Sequence, residues 1–317
     1  MKKLLLLFIT VACATAAHAI DDNTVEVVYN GTTATVTVAD NIANVVTVSS
    51  GTSSHVVITS ATESVEISYA LKGTSDDGSF TLNGSYKCEI DLNGLTLTNP
   101  SGPALNIQNG KRIEISAKSK TTNTLADGSN KDFNGCIHCT GHLEFKGKGT
   151  LNVVGNAKHA IYSKEYTSLK NLTLNITGAK KDGIHCGEYF LMEDSDAKVT
   201  ISNTGDDGIQ CELVGETSTG KIDGHEDEDT GNVYLDGGTL TIKDCGGKTI
   251  KTDGEIIVTG GTQNFDIPTA ITTVKSHSVG NAAIYDLSGR RVITPARGLY
   301  IQNGKKFIKR KIANQET

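Results

Sequence analysis

The residues best placed to do chemistry sit in short turns ahead of regularly spaced isoleucines. The turns are Lys158-His159, Lys180-Lys181-Asp182-Gly183, Asp206-Asp207-Gly208 and Gly247-Lys248, before Ile161, Ile184, Ile209 and Ile250. Ile161, Ile184 and Ile209 are 23 and 25 residues apart, and Ile137 lies 24 residues before Ile161. If equivalent turns stack on neighbouring coils, Asp182 and Asp207 come to lie about 4.8 Å apart, with Lys181 beside Asp206. Two carboxylates at that distance repel by roughly 3.5 kcal/mol at an effective dielectric near 20, so something must offset them. Calcium would do so, because carboxylates and turn carbonyls are hard oxygen donors. Asp182, Asp206 and Asp207 are then candidate Ca2+ ligands, joined by Glu212 if the coil bends it back. The alternative is Lys181 acting on Asp206 in a surface ion ladder that contributes little.

The position after each isoleucine is occupied by His138, Tyr162, His185, Gln210 and Lys251. Strand alternation points these side chains outward, giving a flat stripe of hydrogen-bonding groups about 20 Å long, the length of a few sugar rings. The alternative is an ordinary solvated face. The chain has no Trp, so stacking on sugars falls to Tyr162, Tyr166, Tyr189 and Tyr234.

The elements that must hold these residues are strands. The segment 149–212 contains three near-copies of one pattern: a run of alternating apolar and polar residues, a Gly/Asn turn, and a second run built on isoleucine. A fainter copy occupies 95–107, and another follows at 240–254. No segment has a sustained helical period, and Gly/Ser/Asn/Asp clusters, Asn93-Gly94 among them, separate the strands. The fold class expected is all-β, a parallel β-helix: a solenoid of about 24-residue coils. Cys139, Cys186 and Cys211 lie two residues after their isoleucines and share the core side, where Ser163 and Thr252 hold the slot in other coils. Buried free thiols are therefore expected rather than disulfides. Cys136-Ile137-His138-Cys139 has C-x-x-C spacing, but residues three apart on a strand face opposite ways and do not chelate one zinc.

Residues 1–19 have the form of a signal peptide: Lys2 and Lys3, an apolar run, and an Ala17-His18-Ala19 cleavage site. Lipidation at Cys13 is the alternative. Without this segment, 28 Lys and Arg face 36 Asp and Glu, a net charge of −8 that argues against a nucleic-acid ligand. The chain is expected to be secreted or displayed at the cell surface as a monomer. The solenoid is assigned to 20–261, a linker to 262–278 and a small C-terminal β module to 279–317. Ile209 and Ile250 are 41 residues apart, and the excess is an extruded loop bearing Asp223, Glu226, Asp227, Glu228 and Asp229. It is either a solvated acidic loop or a contributor to cation binding.

Two resemblances add to this reading. Ile284-Tyr285-Asp286-Leu287-Ser288-Gly289-Arg290-Arg291-Val292, Gly298-Leu299-Tyr300-Ile301 and Asn303-Gly304-Lys305-Lys306 resemble the C-terminal sorting module of type IX secretion cargo. That resemblance implies secretion or cell-surface attachment machinery as a partner. Thr121-Thr122-Asn123-Thr124-Leu125, Asp182-Gly183-Ile184-His185, Asp206-Asp207-Gly208-Ile209 and the GGTLTI run at 237–242 resemble a family of bacterial carbohydrate-binding β-helix proteins. Its clostridial relatives bind cellulose and polygalacturonate-like chains at the cell surface, and are similar to pectate lyases of polysaccharide lyase family 9. The resemblance covers most of 68–261 and implies a right-handed parallel β-helix. It also implies calcium at Asp182, Asp206 and Asp207. Gly135, His159 and Lys248 stand where further coils would need an acid, so fewer calcium sites than in the relatives are expected.

Taken together, the sequence points to non-catalytic binding of a polysaccharide, acidic pectin-like chains included, with calcium assisting. One rival is a calcium-dependent lyase, in which Lys158, Lys181, Lys248 or Lys251 removes a proton from a uronate. The other is an adhesin or structural surface protein with no glycan ligand. The chain carries no G-x-S-x-G, H-E-x-x-H or Walker loop.

Overall fold

The computed structural model describes residues 20–129, 132–193, 196–215 and 228–265, and in the C-terminal segment 284–285, 291–292, 298–302 and 305–309. Residues 1–19, with the expected signal peptide, lie outside the described residues, as do most of the expected linker and Asp223, Glu226 and Asp227.

Alternating Val, Ile, Leu and Thr make short strands that bury one face, and copies of that pattern stack in parallel. Each coil adds one strand to each of three columns. The first column runs through Leu105–Gln108, Gly135–Cys139, His159–Ser163, Ile184–Gly187, Ile209–Glu212 and Ile250–Thr252. A second contains Arg112–Ala117, His142–Gly147, Thr167–Leu169, Tyr189–Met192, Asn232–Leu235 and Ile256–Val258. The third contains Thr122–Asp127, Thr150–Gly155, Thr173–Ala179, Lys198–Thr204, Thr239–Cys245 and Thr262–Asn264. The result is an all-β, β-helix-like solenoid whose only described helix is the 3-10 turn Asp40–Ile42.

Register is set by the isoleucines. Leu105, Ile137, Ile161, Ile184, Ile209 and Ile250 are consecutive partners across the first column, and none is exposed. Two residues on, Ile107, Cys139, Ser163, Cys186, Cys211 and Thr252 form the second internal row. The described cysteines are free thiols, with Cys139, Cys186 and Cys211 in the core. Cys136 is also fully buried, so the face opposite Cys139 is not solvent there. Burial raises both thiols of this C-x-x-C, Cys136 well above its ordinary value and Cys139 up to about 12, so neither is a ready thiolate ligand.

Asn93-Gly94 does not separate two strands. Cys88–Asn99 is one strand that bends there, pairing with Arg112–Ala117 through its first half and with Thr122–Asp127 through its second. Gly94 has φ +75, and Asn123 Oδ1 accepts the N–H groups of both Gly94 and Leu95 at 2.9 Å. That side chain replaces the ladder bonds the bend removes. At the N-terminal end, Thr24–Asn30 pairs antiparallel with Thr33–Val38, which covers an edge that would otherwise invite further strands. The C-terminal unit, 275–317, has a four-stranded antiparallel sheet: Ile284–Tyr285, Arg291–Val292, Gly298–Gln302 and Lys305–Lys309.

Ile184 is fully buried, with isoleucine above and below it. Ile184→Ala should cost about 2–5 kcal/mol, read as a lower urea midpoint with an unchanged slope. A loss below 1 kcal/mol would mean that the ladder is not the core's register element.

Candidate functional site

The turn column has the predicted order. Position by position it reads Gly135, His159, Asp182, Asp207 and Lys248, and a backbone hydrogen bond climbs it at each acid. Asp182 N–H points at His159 Nδ1 (3.3 Å), Asp207 N–H donates to Asp182 Oδ1 (3.0 Å), and Lys248 N–H donates to Asp207 Oδ1 (2.7 Å). The stacked acids are therefore separated by backbone donors rather than by Lys181. Lys181 meets Asp206 through its carbonyl, which accepts from Asp206 N–H at 3.2 Å.

The environments of the two stacked carboxylates differ. Asp182 is buried, and its Oδ2 lies 3.1 Å from His159 Nδ1 and 3.0 Å from His185 Nδ1. Burial works to raise its pKa, but the imidazoles of His159 and His185 against Oδ2 and the Asp207 N–H on Oδ1 prevail and hold the carboxyl well below the usual range. Burial also pushes the His159 ring below its ordinary value, against the pull of Asp182, so the ring is neutral at pH 7. Asp207 is equally buried, yet its Oδ2 accepts no hydrogen bond; the nearest cation is Lys251 Nζ at 3.7 Å. Oxygens of Asp182, Asp206 and Asp207 lie within 4.8 Å of one another. That donor set fits a hard cation, because it is all carboxylate and includes a buried oxygen without a hydrogen bond. Glu212 is not part of it. Its Oε2 lies 3.4 Å from His185 Nε2, and Gln210 Nε2 donates to its other oxygen.

His138, Tyr162, His185, Gln210 and Lys251 do fall into one row. It is not an open strip, however. His138 and Gln210 are buried and only Lys251 is well exposed. The rings stack on one another, His138 on Tyr162 at 5.2 Å and Tyr162 on His185 at 5.5 Å. Of the four tyrosines expected to stack on sugars, Tyr166 and Tyr189 are buried, 4.8 Å apart, and Tyr234 is almost so. Two of these hydroxyls are engaged inside the protein, Tyr166 with Glu144 at 3.0 Å and Tyr234 with Glu228. Rungs one strand spacing apart bring like rings face to face, which removes them from any ligand. Tyr162 is the one left half-open.

Beside Tyr162 lies a cleft of about 160 Å³, bordered by Lys164, His185, Glu212, Leu213 and Val214. Leu213 is the exposed large hydrophobic residue of the described chain. The base of the acidic loop closes near it, where Asp229 accepts the N–H groups of Val214 (2.9 Å) and Gly215 (2.7 Å). Asp229 is thus spent on the loop's own closure, and Glu228 accepts from Thr230, Asn232 and Tyr234. Leu213 was not foreseen, since it follows the strand Ile209–Glu212 and belongs to no repeat. The third column adds an outer row of Thr124, Asn152, Asn175, Thr200, Thr241 and Asn264, with Asn175 Nδ2 donating to Asn152 Oδ1 at 3.0 Å. Its signal was present in the alternate Thr and Asn of each copy.

A family profile described as "Carbohydrate-binding domain-containing protein" matches residues 52–311. The chain belongs to this carbohydrate-binding domain family. Its fold is similar to that of a polysaccharide lyase-like protein from C. thermocellum, solved as a gadolinium derivative. The TM-score is 0.58 at 18% identity, over 75% of this chain and 99% of the other. No curated protein matches the sequence. Membership of the family supports a polysaccharide-binding role.

His138 offers a test of the packed row. Burial, and secondarily Lys158, lowers its pKa to about 4. Between pH 6.5 and 4 the unfolded chain binds a proton there that the folded chain does not, so stability falls on acidification. The full effect of this ring is on the order of 3 kcal/mol. Urea midpoints at pH 7 and pH 4.5 should converge in His138→Asn. Equal pH dependence in both proteins would show that the ring titrates freely.

Proposed function

We propose that this chain binds polysaccharide without cleaving it, through the cleft at Tyr162 and the outer face of the first column. The observation that carries this is the meeting of a half-open ring, an exposed Leu213 and the polar groups of Lys164, His185 and Glu212 around one cleft. A sugar offers an apolar ring face and a rim of hydroxyls, and this cleft offers both complements. At about 160 Å³ it is below the ~300–1,000 Å³ of pockets that enclose a drug-sized ligand, so it holds one ring while neighbours lie along the strands. The solenoid is read as a closed, right-handed turn exposing this face. The C-terminal sheet is read as a sorting or attachment module of a secreted or surface-displayed protein, with export machinery as its partner.

Calcium is assigned to the carboxylates of Asp206 and Asp207, with Asp182 contributing beside them. Asp207 Oδ2, buried without a hydrogen bond, supports this. When bound, the ion would supply positive charge for an acidic, pectin-like chain. Catalysis is not favoured, because two of the candidate bases are engaged within the protein: Lys158 Nζ donates to Asn134 Oδ1 at 2.6 Å and Lys251 Nζ lies 3.7 Å from Asp207 Oδ2.

Affinity gels with polygalacturonate and with cellulose derivatives, run with calcium and with chelator, test the reading. Wild-type protein should be retarded by at least one of them, and Tyr162→Ala and Leu213→Asp should each weaken binding about tenfold, or ~1.4 kcal/mol. Wild-type retardation unchanged in both variants would remove the cleft from the site. Millimolar calcium should raise the Tm of wild-type protein but not of Asp206→Asn. Accumulating unsaturated uronate absorbance would favour the lyase reading instead.

A further inference from the structure

We propose that His159, Asp182 and His185 form a second metal site, selective for a borderline divalent ion such as Zn2+. Three lone-pair-bearing atoms converge there: His159 Nδ1 and His185 Nδ1 lie 3.1 and 3.0 Å from Asp182 Oδ2. Ligand atoms bound tetrahedrally at about 2.0–2.1 Å from zinc stand about 3.3 Å apart, so little movement is needed to admit an ion. Two imidazoles and one carboxylate suit zinc, nickel, copper or cobalt and do not suit calcium, which takes oxygen.

The contacts around His185 are those a metal-binding imidazole requires. A ring that ligates through Nδ1 carries its proton on Nε2 and donates it to a carboxylate, which fixes the tautomer. His185 Nε2 faces Glu212 Oε2 at 3.4 Å, and Gln210 holds Glu212 in place. Asp182 is oriented independently by Asp207 N–H on Oδ1, leaving Oδ2 for the ion. His159 Nδ1 also sits 3.3 Å from Asp182 N–H, and one atom cannot accept from that group while donating to Oδ2. With the proton on Nε2 instead, a cation bridges the facing lone pairs that would otherwise repel. His185 has a side chain 16% exposed and borders the cleft, so an ion can enter from solvent.

The site is separable from the carboxylate set, since Asp206 belongs only to the latter. Metal-free full-length chain should take up one Zn2+ by calorimetry. With Co2+ it should develop the visible absorption bands of a nitrogen-ligated low-coordinate ion. His185→Ala should abolish the bands and weaken zinc at least about a hundredfold, Glu212→Gln should weaken it about tenfold, and Asp206→Asn should leave it unchanged. His185 is partly exposed, and an unchanged metal-free Tm confirms that His185→Ala folds; Glu212→Gln serves if it does not. Absence of Zn2+ uptake, uptake unaffected by His185→Ala and Glu212→Gln, or equal loss in Asp206→Asn would overturn the assignment.

Discussion

Everything in this solenoid follows from the spacing of parallel strands, about 4.8 Å from one rung to the next. At that distance a residue's main neighbours are its own counterparts on adjacent coils. Isoleucine meets isoleucine and thiol meets thiol, which is harmless in a core. The same rule is costly at the turns, where it places carboxylate next to carboxylate. The column His159, Asp182, Asp207, Lys248 shows one resolution: acids are limited to two successive coils, and each accepts the backbone N–H of the coil that follows. A third acid in place of His159 would leave Asp182 with one imidazole instead of two and add a second like charge beside it.

The two stacked acids diverge because of what lies around them. Asp182 has Asp207 N–H on one oxygen and two imidazole nitrogens against the other, whereas Asp207 keeps one buried oxygen without a hydrogen bond. One repeated letter thus yields an acid lined by imidazoles and an acid without them. The difference comes from the coil below and from the strand that follows: His159 precedes Asp182 and His185 follows it, whereas an aspartate precedes Asp207 and Gln210 follows it.

Much of this was legible in the sequence. The isoleucine spacing is enough to fix the strand register, and register is enough to stack Asp182 on Asp207. Alternation likewise places Cys139, Cys186 and Cys211 in the core. Periodicity failed where contacts leave the repeat. It assigns Tyr166 and Tyr189 to an outer surface without revealing that they cover each other. It reads Asn93-Gly94 as a break, because the compensating acceptor, Asn123, lies about one coil away. It treats His159 as a missing acid, although the same slot makes it a partner for the acid above. The cleft was invisible for a related reason: Leu213 and Val214 lie where the chain has just left the ladder.

That departure has a wider meaning. Ile209 pairs directly with Ile250, and Tyr189–Met192 with Asn232–Leu235, although the intervening chain is much longer than in other coils. The ladder counts strands and is indifferent to the length of chain between them, because lengthening a loop costs only about 0.6 kcal/mol per doubling. A corner of this architecture is therefore a port. New sequence can be added there, exposed beside the cleft, while the frame that presents it keeps its alignment. Diversification of what such a surface recognises can proceed at the corners without renegotiating the core.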